Sequence, residues 1–415
     1  MDDVVVSEQV ETFAGSFTQQ EAIPAAGIEA AVKVMQHGRL HRYNVSEGEV
    51  AEVALLEQEF AEFVGSKYAL GVASGGYAMG CALRALNVLP GDKVLSNGFT
   101  LAPVPGAIAS VNAEPVFVET TDELTIDLDD LERKIETSGA RVLLLSHMRG
   151  HLCDMDRLMD ICNRADVKVV EDCAHTMGAT WRDTPSGQHG VIGCYSCQTY
   201  KHLNSGEGGF LTSNDAEIMA RAIVLSGSYM LYMRHKAAPP EAAFEHVKWT
   251  TPNISGRMDN LRAAILRPQL AQLPEQIRAW NDRYTAVENG LRNTPGLRII
   301  NRDNRGVYVG SSIQFLLPET TGIEVDNFTA RCARRGVELK WFGAVEPRAF
   351  TSRYDSWRYV GPQRLPATDR VLGGLIDMRL PLTFSLEDCR LIARIISQEA
   401  RAILDARVER SSATG

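Results

Sequence analysis

The chain lacks any apolar run approaching the ~20 residues that cross a bilayer. It opens MDDVVV, an acidic start unlike a secretion signal. A cytoplasmic, soluble protein is the expectation. It also lacks a basic excess: 43 Lys+Arg against 52 Asp+Glu leave a net charge of −9. That argues against an overall nucleic-acid-binding surface but leaves room for a local basic pocket. No internal repeat or low-complexity tract is present. Cysteine is scattered, and only Cys194 and Cys197 form a CxxC. With no second pair, and zinc normally taking four ligands, no metal centre is expected, and the thiols read as reduced and buried.

What is present is length and apolar content. With 415 residues, 45% of them hydrophobic, the chain can bury a large core and fill two domains. Short apolar strands are expected at 68–73, 93–96, 115–119, 142–146 and 167–172, alternating with helices at 49–64, 106–111 and 128–137. This is the pattern of a parallel sheet covered on both faces, where ligands sit beyond the carboxyl ends of strands. Further helices are expected at 24–37 and over 259–291, the latter broken at Pro268 and Pro274. From about residue 295 the pattern becomes a smaller α+β unit with a strand over 307–316, a closing helix at 386–404 and a fraying polar tail at 407–415.

The chemistry concentrates in 167–214. Its strand ends in Glu171 and Asp172, and Lys201 lies downstream between a hydroxyl- and amide-rich segment and Gly206-Glu207-Gly208-Gly209. A strand-end acid and a lysine in a glycine-flanked loop suit the two ends of pyridoxal phosphate. That cofactor needs an amine at its aldehyde and a carboxylate against its pyridinium nitrogen. Asp172 equally suits a helix N-cap, and His175 a core position. Upstream, strand 68–73 runs into Ser74-Gly75-Gly76 and a helix. Free amides and the helix dipole there can hold a phosphate, although the pattern is also that of a tight turn. Arg42 and Tyr43, within Arg39-Leu40-His41-Arg42-Tyr43, read either as a hold for an anionic substrate or as a solvated loop. His147 and Arg149, after strand 142–146, either touch substrate or only pack.

Three linked segments resemble the DegT/DnrJ/EryC1/StrS family of pyridoxal-phosphate aminotransferases: Glu171-Asp172-Cys173-Ala174-His175, then Ser196 to Lys201, then Gly206-Glu207-Gly208-Gly209. The resemblance covers about 25–400. It implies a fold-type I, α/β architecture with a mostly parallel large domain (25–270), a smaller α+β C-terminal domain (271–415) and an N-terminal arm (1–24). It implies that Lys201 is the catalytic lysine, Asp172 the partner of the ring nitrogen and His175 a residue beside the ring. Gly75, Gly76 and Ser196 would hold the phosphate, joined by Asn253 or Ser255 reaching in from a partner subunit of a homodimer. Two departures stand out. Gly76 replaces a threonine, and Leu101 stands where the family stacks an aromatic, giving up roughly 0.5–1.5 kcal/mol of ring–ring attraction. A dehydratase branch replaces the lysine by histidine; here Lys201 precedes His202, which is the transaminase register.

The resemblance further implies a small domain closing on substrate, with Trp341, Arg348 and Arg353 as candidates, and transfer of an amino group from glutamate or glutamine to a keto group of a sugar or sugar-like acceptor. Gly76 and Leu101 keep open elimination, replacement or cyclisation on an amino acid. A non-catalytic regulator of the same fold is a third reading, against which the retained Lys201 argues.

Overall fold

The computed structural model describes residues 10–413, with 407–413 described by backbone alone. Residues 1–9 of the expected arm and 414–415 of the expected tail lie outside the described residues.

Seven strands form the central sheet, in the order Tyr68–Val72, Gly209–Ser213, Ile192–Ser196, Lys168–Asp172, Val142–Ser146, Lys93–Asn97, Glu114–Val118. Only Gly209–Ser213 runs antiparallel to its neighbours; the other pairings are parallel. Val142–Ser146 and Ile192–Ser196 are buried throughout, as strands covered on both faces must be. Two apolar layers flank the sheet. One contains Met79, Leu83, Ile108 and Met219, and the other Leu131, Ile135, Leu158 and Ile161.

Element ends follow local chemistry. Helix Ala25–His37 stops at Gly38 and Glu52–Val64 at Gly65, both glycines left-handed. The helix expected from 106 begins earlier, at Pro103, a residue suited to a first helical turn, and runs Pro103–Ala109. The strand expected over 307–316 is divided. Ser312–Leu316 enters a four-stranded sheet with Arg298–Ile299, Leu375–Arg379 and Lys340–Trp341, whereas Gly306–Val307 pairs with Thr180–Trp181.

Two expectations are corrected. Asn260–Leu291 is one helix through Pro268 and Pro274. Leu266, Leu270, Leu273, Trp280 and Tyr284 are buried along it, and this burial outweighs the roughly 3 kcal/mol cost of each interior proline. The closing helix also runs further than expected, Leu386–Ala413. Residues 10–24 are anchored to the four-stranded sheet's core by Phe13 and Phe17, which meet Phe384 edge-on at 4.9 Å.

Candidate active site

Parallel register brings Asp172, at the carboxyl end of Lys168–Asp172, level with Ser146 of the neighbouring strand. The Ser146 hydroxyl donates to Asp172 Oδ2 at 3.0 Å, and the Ala174 amide donates to Oδ1 at 3.1 Å. The carboxylate is thus fixed at the sheet edge. The chain turns at once, and His175 lies buried behind it. Its Nδ1 accepts from the Arg149 amide at 3.4 Å, and its Nε2 lies 2.8 Å from Lys201 Nζ. Burial, then Lys201 and Arg149, push His175 well below the usual histidine range. With Nδ1 accepting, the single ring proton sits on Nε2 and faces the amine.

Burial, seconded by Arg149, lowers the Lys201 amine to about 7, with Asp172 opposing. A lysine at that value has a large neutral fraction near physiological pH and can act as a nucleophile or a base. His202 does not compete for this place. Its Nε2 bonds Ser311 Oγ at 2.9 Å, and its ring lies 5.1 Å from that of Trp280.

The glycine turn is a second built feature. Helix Gly75–Ala85 starts at Ser74, whose side chain accepts from the Tyr77 amide. Gly75 lies so close to Ser196 that an added Cβ would meet Ser196 Cβ at 2.8 Å, whereas one at Gly76 would meet nothing nearer than 3.9 Å. The first turn of the helix therefore packs on Ser196 and stays open above Gly76. Leu101 is half-buried against a cluster containing Phe99, Met148 and Phe342. Phe99 does not take its place, because its own ring meets Phe342 edge-on at 5.1 Å. Asn253 and Ser255 stand on an exposed loop, where the Asn253 side chain accepts from the Ser255 amide. Ser255 adopts a left-handed φ of 44°.

Other expected substrate residues have structural occupations. Arg42 is buried and forms a two-pronged pair with Glu57, both contacts at 2.8 Å. The Tyr43 hydroxyl is hydrogen-bonded to His235 Nε2 at 2.7 Å, and burial pushes it up to about 12. Both side chains are held inside the fold by these contacts. The Trp341 indole donates to the Gly373 carbonyl, and its ring packs on the four-stranded sheet's core, while the next residue, Phe342, faces Arg149. Arg348 pairs with Asp326, and Arg353 with Asp355 and Asp369. His147 bonds Glu171, which also holds the amides of Gly187, His189 and Gly190. Sequence reasoning missed Ser146, as well as Asp377, which pairs with Arg149 at 2.7 Å, and Arg379, whose guanidinium lies 3.9 Å from the Tyr200 ring centroid. Only Ser146 had a usable signal, as a polar strand end beside the strand of Asp172.

The chain matches the DegT/DnrJ/EryC1/StrS aminotransferase family over residues 25–397. It is 34% identical over 56% of its length to a putative L-glutamine:3-amino-2,3-dideoxy-scyllo-inosose aminotransferase of Micromonospora echinospora, spanning only 52% of that protein. It is 28% identical over 75% of its length to the protein of the same name from Streptoalloteichus tenebrarius, spanning 77% of it. The crystal structure of 3-amino-5-hydroxybenzoic acid synthase superposes with a TM-score of 0.79 at 23% identity, over 94% of this chain and 100% of that one, a likeness of fold. With the match covering every strand of the three sheets, the chain belongs to the DegT/DnrJ/EryC1/StrS aminotransferase family.

Proposed function

We propose that the chain is a pyridoxal-phosphate aminotransferase that takes an amino group from glutamate or glutamine and places it on a keto carbon of a sugar or sugar-like acceptor. The observation that carries this is the Lys201 amine, lowered to about 7, at 2.8 Å from a neutral His175 and within electrostatic reach of the fixed Asp172 carboxylate. The two relatives, named for glutamine as donor and an inosose as acceptor, support this donor and acceptor class.

The residues fit the cofactor. Asp172 offers a fixed carboxylate for a pyridinium nitrogen, and Lys201 an amine for an aldehyde. The helix start at Gly75 and Gly76, beside Ser196, offers open amides and a hydroxyl for a phosphate. Leu101 is assigned to the ring face. When bound, the cofactor supplies an electron sink that weakens the C–H bond of the amino-bearing carbon. Lys201 Nζ is placed to take that proton from the donor and to give one to the acceptor's carbon. His175 orients the amine through Nε2, and burial keeps the amine neutral enough to accept.

The protein is read as a homodimer in which Asn253 or Ser255 completes the partner's phosphate site. Exposed Tyr229, Met230, Met233, Trp249 and Ile254 near that loop support this surface as the interface. Eight buried free thiols suit a reducing, cytoplasmic setting. Among the described residues no helix is long and apolar enough to cross a membrane.

Purified protein mixed with pyridoxal phosphate should develop a visible absorbance band. Borohydride reduction and peptide mapping should then place the label on Lys201, and Lys201→Ala should abolish both. Glutamate or glutamine should bleach the band with release of the keto acid. Labelling of another lysine would remove the assignment, and a band bleached by no amino donor would remove transamination.

A further inference from the structure

Two buried or half-buried arginines converge on the Lys201 pocket, and neither guanidinium has been given a ligand above. Arg149 follows strand Val142–Ser146 in a left-handed conformation (φ 55°). Its amide holds His175, and its guanidinium reaches across to the four-stranded sheet, donating from Nη2 to Asp377 Oδ2 at 2.7 Å. Asp377 is fully buried, and its other oxygen accepts from Gln314 at 2.7 Å. The ion pair therefore fixes the guanidinium while leaving its Nε–H buried and without a partner. Phe350 and Phe342 lie under the guanidinium, with ring centroids at 5.0 and 6.0 Å.

Arg379 lies two residues beyond Asp377 on strand Leu375–Arg379, hence on the same face. Its guanidinium sits 3.9 Å from the ring centroid of Tyr200, the residue before Lys201. It makes only long, neutral contacts with residues 10–24, to the Phe17 carbonyl at 3.2 Å and Gln20 Oε1 at 3.4 Å. Among the described residues it forms no ion pair. Glu21 is within electrostatic reach of it, and one of its carboxylate oxygens is itself buried without a hydrogen bond. Burial, and then Arg149, lower the Arg379 guanidinium. Both arginines also depress the Lys201 amine. His175, which faces Arg149, is pushed down by burial and so adds no further positive charge there.

A buried guanidinium N–H without an acceptor is costly, and the planar anion that matches guanidinium geometry is a carboxylate. We infer that Arg149 and Arg379 form a carboxylate subsite beside Lys201, positioning a carboxylate-bearing substrate for the reaction. The inference rests on the aminotransferase reading. It adds that one substrate is held by its acid group, either the amino donor's α-carboxylate or an acid on the acceptor.

The probe is glutarate, which has no amino group to exchange, set against its neutral diamide, titrated calorimetrically into cofactor-loaded protein. Glutarate should bind and weaken with added salt, and the diamide should not bind. Arg379→Gln should weaken glutarate at least tenfold, with Arg379→Lys recovering part of the loss. Borohydride labelling of Lys201 should be unchanged in both, so a failure of the cofactor reading shows separately as lost label. Arg149→Gln should act in the same direction. If it fails to fold because Asp377 is left unpaired, the Arg379 pair still decides. Single-turnover bleaching with glutamine then identifies the source. A tenfold weaker apparent donor Kd with the limiting rate within about threefold assigns the subsite to the donor. An unchanged donor Kd alongside lost glutarate binding assigns it to an acidic acceptor. Glutarate binding equal in Arg379→Gln and the parent overturns the subsite.

Discussion

Lys201 and His175 are chemically coupled by one hydrogen bond, and the two residues should respond very differently to substitution. On the proposed reading, removing the amine removes the nucleophile and the proton carrier together, so Lys201→Arg should lower turnover by about 10²–10⁴-fold or more. His175 contributes a neutral bond worth about 0.5–1.5 kcal/mol, so His175→Ala should slow the donor half-reaction only about 2- to 13-fold. The pH dependence follows from the amine. In the cofactor-free protein, capture of pyridoxal phosphate by Lys201 should rise through a midpoint near 7, because below it the amine is protonated. That midpoint should survive in His175→Ala, since burial is its main cause. A midpoint near the ordinary lysine value of 10.5 would show that the pocket does not neutralise the amine. The same shift has a stability sign. Between about 7 and 10.5 the unfolded chain holds a proton on this lysine that the folded chain lacks, so this group's contribution to stability rises with pH over that window. Legibility at this scale was uneven. Asp172 and Lys201 stood out because a strand-end acid and a glycine-flanked lysine suit the two ends of one cofactor, whereas His175 was singled out by the resemblance; the structure brings His175 to 2.8 Å from Lys201. Arg149 was readable only as a residue that either touches substrate or packs, and Arg379 not at all, because what they do depends on Asp377 and Tyr200 respectively, each far from its partner in sequence.

Arg42 and Tyr43 show why an element must be seen folded before its charges are interpreted. In sequence they form part of a basic, aromatic loop. In the structure Glu57, from helix Glu52–Val64, gathers Arg42, His235 and the amide of Gly71, and so locks that helix to strand Tyr68–Val72. Burial alone would raise the Glu57 carboxyl, but Arg42 and His235 outweigh it and hold it down to about 2. Its contribution to stability is therefore fully present above the ordinary carboxylate value of 4.5 and is lost as pH falls through about 2. Glu57→Gln strands a buried guanidinium and should cost about 3–5 kcal/mol, read as a lower denaturant midpoint. The surviving folded fraction should still take borohydride label on Lys201, because this network does not reach the amine. Equal midpoints for Glu57→Gln and the parent would mean that the pair is not a fastener. The helix Asn260–Leu291 teaches the same lesson. Its prolines predict breaks from local propensity, and the buried row from Leu266 to Tyr284 overrides them.

At the scale of the whole molecule, one chain assembles Asp172, His175 and Lys201 but leaves Asn253 and Ser255 on an exposed loop. Alternation of strands and helices made five of the seven central strands legible, because a covered parallel sheet imposes continuous apolar strands; Ile192–Ser196 and the antiparallel Gly209–Ser213 were missed, since they join without an intervening helix. The proposed destination of the loop rests on the resemblance alone, because no pattern in a single chain specifies what a second copy brings. Mixed dimers test that destination. Lys201→Ala protein should be inactive. A double variant, Asn253→Ala with Ser255→Ala, should bind pyridoxal phosphate at least tenfold more weakly, as loss of a hydrogen bond to a charged group costs about 1.5–3 kcal/mol. If each site takes its lysine from one subunit and its loop from the other, a mixed dimer holds one site with both defects and one with neither. Equal mixing with random exchange makes about half the dimers mixed, so about a quarter of parental activity should return at limiting cofactor. If lysine and loop serve the same subunit's site, every site in the mixture carries one defect or the other, and activity stays at the average of the two parents. The recovered quarter therefore depends on the loop crossing the interface, and its absence under verified subunit exchange would return Asn253 and Ser255 to a surface role.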